Sequence, residues 1–196
     1  MGYLNMKFVT SAVNPGGFVK DNKPQVVITG KSNVGKSSLV NCISNNKKMA
    51  KVSSTPGKTR LINYFDVDGG FYITDLPGYG FAKVSKDMKA SWEKLMNQYF
   101  GQDLGFKQAV HLVDIRHEPT GEDRMMREYL LSYGYNVITV ATKADKLSRM
   151  RVNQSVAALR KTLMLSAEEL LIPFSSETCQ GRDILVSEIF KAVSAV

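Results

Sequence analysis

The residues Gly30, Lys31, Ser32, Asn33, Val34, Gly35, Lys36 and Ser37 spell a Walker A loop, and the chemistry of that pattern is the cradling of a phosphate chain. Gly30 and Gly35 let the backbone wrap close to an oxygen-rich ligand, so that successive N–H groups point inward. Lys36 can reach the β- and γ-phosphates, and the Ser37 hydroxyl can hold Mg²⁺. The apolar run Gln25–Thr29 before the loop reads as a buried strand, and Lys36–Asn46 after it reads as a helix. That context separates a phosphate site from a glycine-rich turn, because the helix start adds a partial positive charge.

A second motif bears on the base. Thr142, Lys143, Ala144 and Asp145 follow the strand-like run Val137–Ala141, which puts them at a strand's carboxyl end. Asp145 there can accept hydrogen bonds from N1–H and the exocyclic amine of guanine. Adenine offers an acceptor at the first position and nothing at the second, so a desolvated carboxylate would be left unpaired. The Lys143 stem can cover one face of the base. Alone, a Lys-x-Asp triplet is a common surface feature; downstream of a Walker A loop it favours guanine.

Asp75, Leu76, Pro77 and Gly78 end the run Phe71–Thr74. Asp75 is placed to hold Mg²⁺ through a water, and the Gly78 N–H to meet the γ-phosphate and move when it leaves. In isolation the segment would be an ordinary turn; its position between the other two motifs decides otherwise. The polar stretch Ser53–Arg60 carries Pro56, Gly57, Lys58 and two candidate threonines for completing the Mg²⁺ shell. Thr59 is preferred over Thr55 because it abuts the strand Leu61–Val67. Phe174, Ser175, Ser176 and Glu177 close another strand-like run and can back the guanine, although a helix cap would look the same. The Mg²⁺ set is therefore Ser37, Thr59 and Asp75.

These motifs need a scaffold that presents strand ends together. Strand-like segments run near Phe8–Val13, Val26–Thr29, Leu61–Val67, Phe71–Thr74, Ala109–Asp114, Val137–Ala141 and Leu170–Phe174. Helical patterns fill the gaps near Lys36–Asn46, Lys86–Phe100, Gly121–Leu131, Val152–Leu165 and Asp183–Val193. The alternation predicts a three-layer α/β fold with a mostly parallel sheet and ligands at its carboxyl edge. Asp68-Gly-Gly70 makes Leu61–Thr74 a hairpin, so one edge is antiparallel. A chain of 196 residues, 43% hydrophobic, suits one domain. No run approaches a membrane span, and Met1–Lys20 lacks a signal-peptide pattern. Cys42 and Cys179 are too few and too distant in sequence for a disulfide framework or zinc spacing, which makes a reducing cytoplasm the simplest location. The formal charge of +8 favours a polyanionic partner such as RNA. Lysines cluster at Lys47, Lys48, Lys51 and Lys58, and again at Lys83, Lys86, Lys89 and Lys94, the second group on an amphipathic helix with Trp92 on its core face. His111 lies within a strand and reads as structural.

Taken together, Gly30–Ser38, Pro56–Thr59, Asp75–Val84, Val113–Pro119, Thr142–Lys146 and Phe174–Glu177 resemble the EngB branch of the Era-like bacterial GTPases, from about Lys7 to Ala195. Tyr79-Gly-Phe-Ala-Lys83 is the most family-specific part, and Thr142, where GTPases generally have Asn, fits this branch. The resemblance implies a P-loop GTPase fold, Mg²⁺-dependent hydrolysis of GTP to GDP, a monomer, and a role in assembly of the large ribosomal subunit, with rRNA and ribosomal proteins as partners and cell division and septation as the wider setting. Lys36, Thr59, Gly78 and Asn33 would be the catalytic set. Tyr79 follows Gly78 where many signalling GTPases carry a water-orienting Gln, so unaided hydrolysis is expected to be slow. By the same resemblance, Asn33 is a candidate K⁺ ligand at the phosphates, with bracing of the loop as its alternative. A guanine-nucleotide-dependent binding module with negligible turnover is the other reading.

Overall fold

The computed structural model describes residues 2–51, 61–80, 86–103 and 108–195, and of Lys86 only the backbone. Thr55, Pro56, Gly57, Lys58 and Thr59 lie outside the described residues, as do Phe81–Val84 of the family-specific segment.

The run before the Walker A loop forms β2 (Gln25–Gly30), buried along its whole length. A strand inside a parallel sheet is covered on both faces, which is why it reads as continuous apolar sequence rather than as alternation. Val26 and Ile28 face one hydrophobic layer and Val27 the other. The remaining strands are β1 (Met6–Ala12), β3 (Ile62–Val67), β4 (Phe71–Asp75), β5 (Gln108–Asp114), β6 (Asn136–Thr142) and β7 (Leu171–Pro173), and the sheet order is β1-β3-β4-β2-β5-β6-β7. The pairs β4–β2, β2–β5, β5–β6 and β6–β7 are parallel. The hairpin β3–β4 is antiparallel, and β1 pairs antiparallel with β3, so the hairpin sits one strand in from the edge.

Helices α1 (Lys36–Ile43), α2 (Lys86–Phe100), α3 (Gly121–Ser132), α4 (Arg149–Thr162) and α5 (Arg182–Ser194) cover the sheet. Leu39, Val40 and Ile43 of α1 share one core with Leu185, Val186 and Ile189 of α5. On the other side, Leu95, Met96, Tyr99 and Phe100 of α2 pack with Met126 and Leu130 of α3. A third cluster holds α4 through Leu159 and Leu163.

Two helices differ from the sequence expectation by more than one residue at an end. α1 stops at Ile43 rather than Asn46, because Asn45 takes a left-handed backbone (φ 51°), a conformation Asn tolerates. α4 starts earlier, at Arg149, where the Ser148 hydroxyl accepts from the Arg151 N–H at 3.4 Å, and ends before the left-handed Met164.

Candidate functional site

The Walker A loop leaves β2 and turns into α1 through Gly35, whose φ of 113° is left-handed and suited to glycine. Asn33 is also left-handed (φ 61°), so its residue type has a conformational reason independent of any ion. At Gly30, the last residue of β2 and opposite Leu112 of β5, a Cβ would stand 2.8 Å from both Leu112 O and Val34 Cγ1. Lys36 turns inward, its Nζ donating to Gly30 O at 3.2 Å and Lys31 O at 3.4 Å. Burial lowers its pKa, and the charge of Asp75 opposes that shift. Ser37 and Ser38 are half-buried on the first turn of α1.

The Asp75–Gly78 segment comes to this loop directly. Leu76 N–H donates to Ile28 O at 3.0 Å, and Ser32 N–H donates to Tyr79 O at 2.9 Å. A Cβ on Gly78 would meet Lys36 Nζ at 2.8 Å and Ser32 N at 3.0 Å. Two motifs about forty residues apart in sequence thus pack against each other. Asp75 is buried, and its Oδ1 has no hydrogen-bond partner among the described residues. Burial raises its pKa, offset by Lys36. An unpartnered buried carboxylate oxygen on the strand next to the Walker A strand fits a hard divalent cation held partly through water. No cluster of three or more His, Cys, Asp or Glu occurs among the described residues.

The base-side motif follows β6. Thr142 is buried, with its hydroxyl 2.7 Å from Val34 O and 3.1 Å from Val113 O. It braces the Walker A loop against β5 and β6. Lys143 is left-handed (φ 64°) and stretches its amine to Asn33 O at 2.9 Å and Asp114 Oδ2 at 2.8 Å. Asp145 Oδ1 accepts from Ser175 Oγ at 2.7 Å, while Lys146 pairs with Oδ2 at 2.9 Å. These two contacts hold its carboxyl below the usual carboxylate range. The Ser175 hydroxyl also accepts from the N–H groups of Glu177 and Thr178, both at 3.2 Å. Phe174 is buried and registers this loop: its N–H donates to Ala141 O at 2.8 Å and its carbonyl accepts from Ala144 N–H at 3.0 Å. Ser176 is half-buried and Glu177 exposed.

Sequence reasoning assigned no role to Asp114. Burial alone would raise its pKa, but hydrogen bonds from Arg116 and Lys143 hold it well below the usual range. Its signal was positional: Asp114 ends β5 opposite Thr142 of β6. A second omission is the polar cluster around Tyr79. Its hydroxyl donates to Asp123 Oδ1 at 2.8 Å and lies 2.8 Å from His111 Nε2. Because the phenol's one proton goes to the carboxylate, His111 donates through Nε2–H, leaving Nδ1 without a partner among the described residues. Burial lowers the His111 pKa to about 4 and pushes Tyr79 well up. Asp123 Oδ2 accepts from the Thr120 N–H at 2.8 Å and hydroxyl at 2.9 Å, and Lys31 Nζ reaches Thr120 Oγ1 at 2.8 Å. Tyr79 therefore fastens the segment after Gly78 to the start of α3. Trp92 of α2 donates to Pro77 O at 3.2 Å, a core residue with a polar handle on the same segment.

Comparison with known proteins follows this geometry. Residues 25–143 match the family described as 50S ribosome-binding GTPase. The probable GTP-binding protein EngB of Clostridium beijerinckii is 48% identical over 183 residues, covering 93% of this chain and 92% of that protein. Its counterpart in Clostridium perfringens strain 13 is 46% identical over 190 residues, covering 97% and 96%. A crystal structure of a probable GTP-binding protein EngB superposes with a TM-score of 0.73 at 21% identity, covering 88% of this chain and 99% of that one. Era in complex with MgGDPNP and a segment of 16S ribosomal RNA gives 0.67 at 22% identity, covering 86% and 56%. At such identities the two structures speak for the fold.

Proposed function

This chain belongs to the EngB family of GTP-binding proteins, and on that premise we propose that it hydrolyses GTP to GDP and phosphate as a Mg²⁺-dependent switch in assembly of the large ribosomal subunit. One observation carries the reading: Gly78 lies against Lys36 and Ser32 N, so a γ-phosphate held by the Walker A loop would press on the segment that must respond to it. Lys36 would bind the β- and γ-phosphates after exchanging its carbonyl contacts for them. The loop N–H groups and the start of α1 would orient the chain of phosphates. Ser37, Asp75 and, outside the described residues, Thr59 would hold Mg²⁺, which when bound neutralises charge on the phosphate oxygens. Asp145, aimed by Ser175, would accept from guanine, and the Lys143 stem would cover the ring. Phe174, Ser176 and Glu177 would frame the base side, and Pro56, Gly57 and Lys58 would flank Thr59.

The Tyr79 phenol is spent on Asp123 and His111 and has no proton to offer an attacking water. Slow unaided turnover follows. The same observation keeps a second reading open, a nucleotide-dependent binding module with negligible turnover on another RNA or protein. For the ribosomal partner, the support is the family description, the charge of +8, and exposed Lys47, Lys48, Lys51, Lys89 and Lys94. No helix among the described residues is long and apolar enough to cross a membrane. The test is co-sedimentation with large ribosomal subunits and their precursors, together with turnover measured with and without them. Binding with a non-hydrolysable GTP analogue but not with GDP, and stimulated turnover, are expected. Equal binding or a flat rate would reject the assembly role.

A further inference from the structure

Cys42 and Cys179 are 137 positions apart, yet the fold brings their sulfurs to 3.6 Å. Both thiols are free; Cys42 is buried in α1 and Cys179 is exposed. Cys179 directly follows the Ser175–Thr178 loop that aims Asp145, and its backbone is left-handed (φ 59°). We propose that Cys42 and Cys179 form an oxidisable dithiol site, converted by peroxide to a disulfide that weakens guanine-nucleotide binding. The affinity half of this proposal rests on the guanine reading of Asp145; the cross-link does not.

The chemistry needs one co-reactant, a peroxide. Exposure makes Cys179 the sulfur that meets it. The Cys179 thiolate attacks one peroxide oxygen; the S–O bond forms, the O–O bond breaks, and hydroxide leaves to become water on taking a proton. Cys179, now a sulfenic acid, has been oxidised by two electrons and the peroxide reduced by the same number. The Cys42 sulfur then attacks the Cys179 sulfur; the S–S bond forms, the S–O bond breaks, and hydroxide departs with the Cys42 proton as a second water. Burial pushes the Cys42 thiol up to about 12, which keeps it protonated and leaves the first attack on peroxide to Cys179. The charge of Arg182 favours its thiolate and that of Asp183 opposes it.

The structural consequence follows from what is free to move. A disulfide holds its sulfurs about 2.05 Å apart, so closure draws them together by about 1.5 Å. Cys42 belongs to a helix whose neighbours Leu39, Val40 and Ile43 are locked in the core. The exposed loop must therefore yield. Ser175 N–H donates to Gln180 O at 3.1 Å, and the Ser175 hydroxyl holds the Glu177 and Thr178 N–H groups. Displacement at Cys179 is thus transmitted to Ser175 and from there to Asp145.

The experiment compares reduced and peroxide-treated full-length protein by intact mass, non-reduced peptide mapping and affinity for fluorescent GDP. Expected are a Cys42–Cys179 peptide link, a mass lowered by the two thiol hydrogens, and a Kd for GDP raised by about tenfold or more, the scale of a lost charge-assisted hydrogen bond. Dithiothreitol should reverse all three. Cys179→Ser and, independently, Cys42→Ser should form no link and hold their GDP affinity under peroxide. Oxidation of Cys179 to a sulfinic acid without a link would overturn the proposal, as would a link that leaves the Kd unchanged. Reduced protein that fails to bind GDP would instead overturn the guanine reading, and the mass result would still decide the cross-link.

Discussion

At the scale of single residues, Tyr79 and His111 serve architecture: one phenol joins Asp123 to a buried imidazole. Tyr79→Phe keeps the ring in its apolar setting but leaves Asp123 Oδ1 and His111 Nε2 short of a partner. It should cost about 1–3 kcal/mol of stability, read from the urea midpoint, while unaided turnover stays within about threefold because the phenol faces away from the loop. A larger fall in kcat would give the phenol a chemical role. His111 makes a pH prediction. Its folded pKa is depressed to about 4 from an ordinary value of 6.5, so the unfolded chain binds the proton that the folded one refuses. Stability is therefore full above about pH 6.5 and declines as pH falls toward 4, by up to about 1.4 kcal/mol per pH unit. Urea titrations between pH 7 and 5 should show a flatter profile for His111→Gln than for the parent. Asp145→Asn exchanges a carboxylate acceptor for an amide, and GDP affinity measured by fluorescence should drop about tenfold or more.

Elements set the tolerances of the site. The exit of β2 into the Walker A loop depends on Gly30, where a methyl would stand 2.8 Å from the Leu112 carbonyl oxygen of the neighbouring strand. Backbone cannot retreat from such a contact without moving the strand, so Gly30→Ala should lose about 2 kcal/mol or more of stability and nucleotide affinity together. Parent-like Tm and GDP binding would show the loop to be freer than its packing indicates. α2 contributes differently. Its buried face anchors it, and Trp92 hands one hydrogen bond to Pro77 O, so the helix reports on the Asp75–Gly78 segment while exposing Lys89 and Lys94. Much of this was legible in sequence: helical spacing placed α2 at Lys86–Phe100 and located its core face. The ends of α1 and α4 were less legible, because single left-handed residues and one serine cap ended or began them.

For the whole molecule, the parallel strands gather the carboxyl ends of β2, β4, β5, β6 and β7 at one edge, where the Walker A, Asp75–Gly78, Thr142–Asp145 and Phe174–Glu177 motifs lie. The net charge of +8 is spread over surface lysines, so ribosomal-particle binding should weaken steeply as KCl is raised, with log K falling linearly in log salt. A salt-independent association would shift the recognition to uncharged contacts. Replacing K⁺ by Na⁺ at fixed ionic strength tests the Asn33 assignment separately. Unchanged kcat would leave Asn33 with its left-handed loop position alone.

The amino-acid sequence by itself determined the class of the chain, because Walker A chemistry, strand-end motifs and α/β alternation are local properties: backbone freedom, hydrogen-bonding capacity and hydrophobic period are written residue by residue. The Gly30–Ser37, Asp75–Gly78, Thr142–Asp145 and Phe174–Glu177 segments were identified on that basis, and the fold places them together. Tertiary structure alone decided what each side chain faces. Thr142 braces Val34 and Val113, Tyr79 turns to Asp123 and His111, Asp114 anchors Lys143, and Cys42 meets Cys179. Those partners come from different elements, and the packing of two helical layers on a twisted sheet chooses them; no spacing along the chain encodes which side chains will meet.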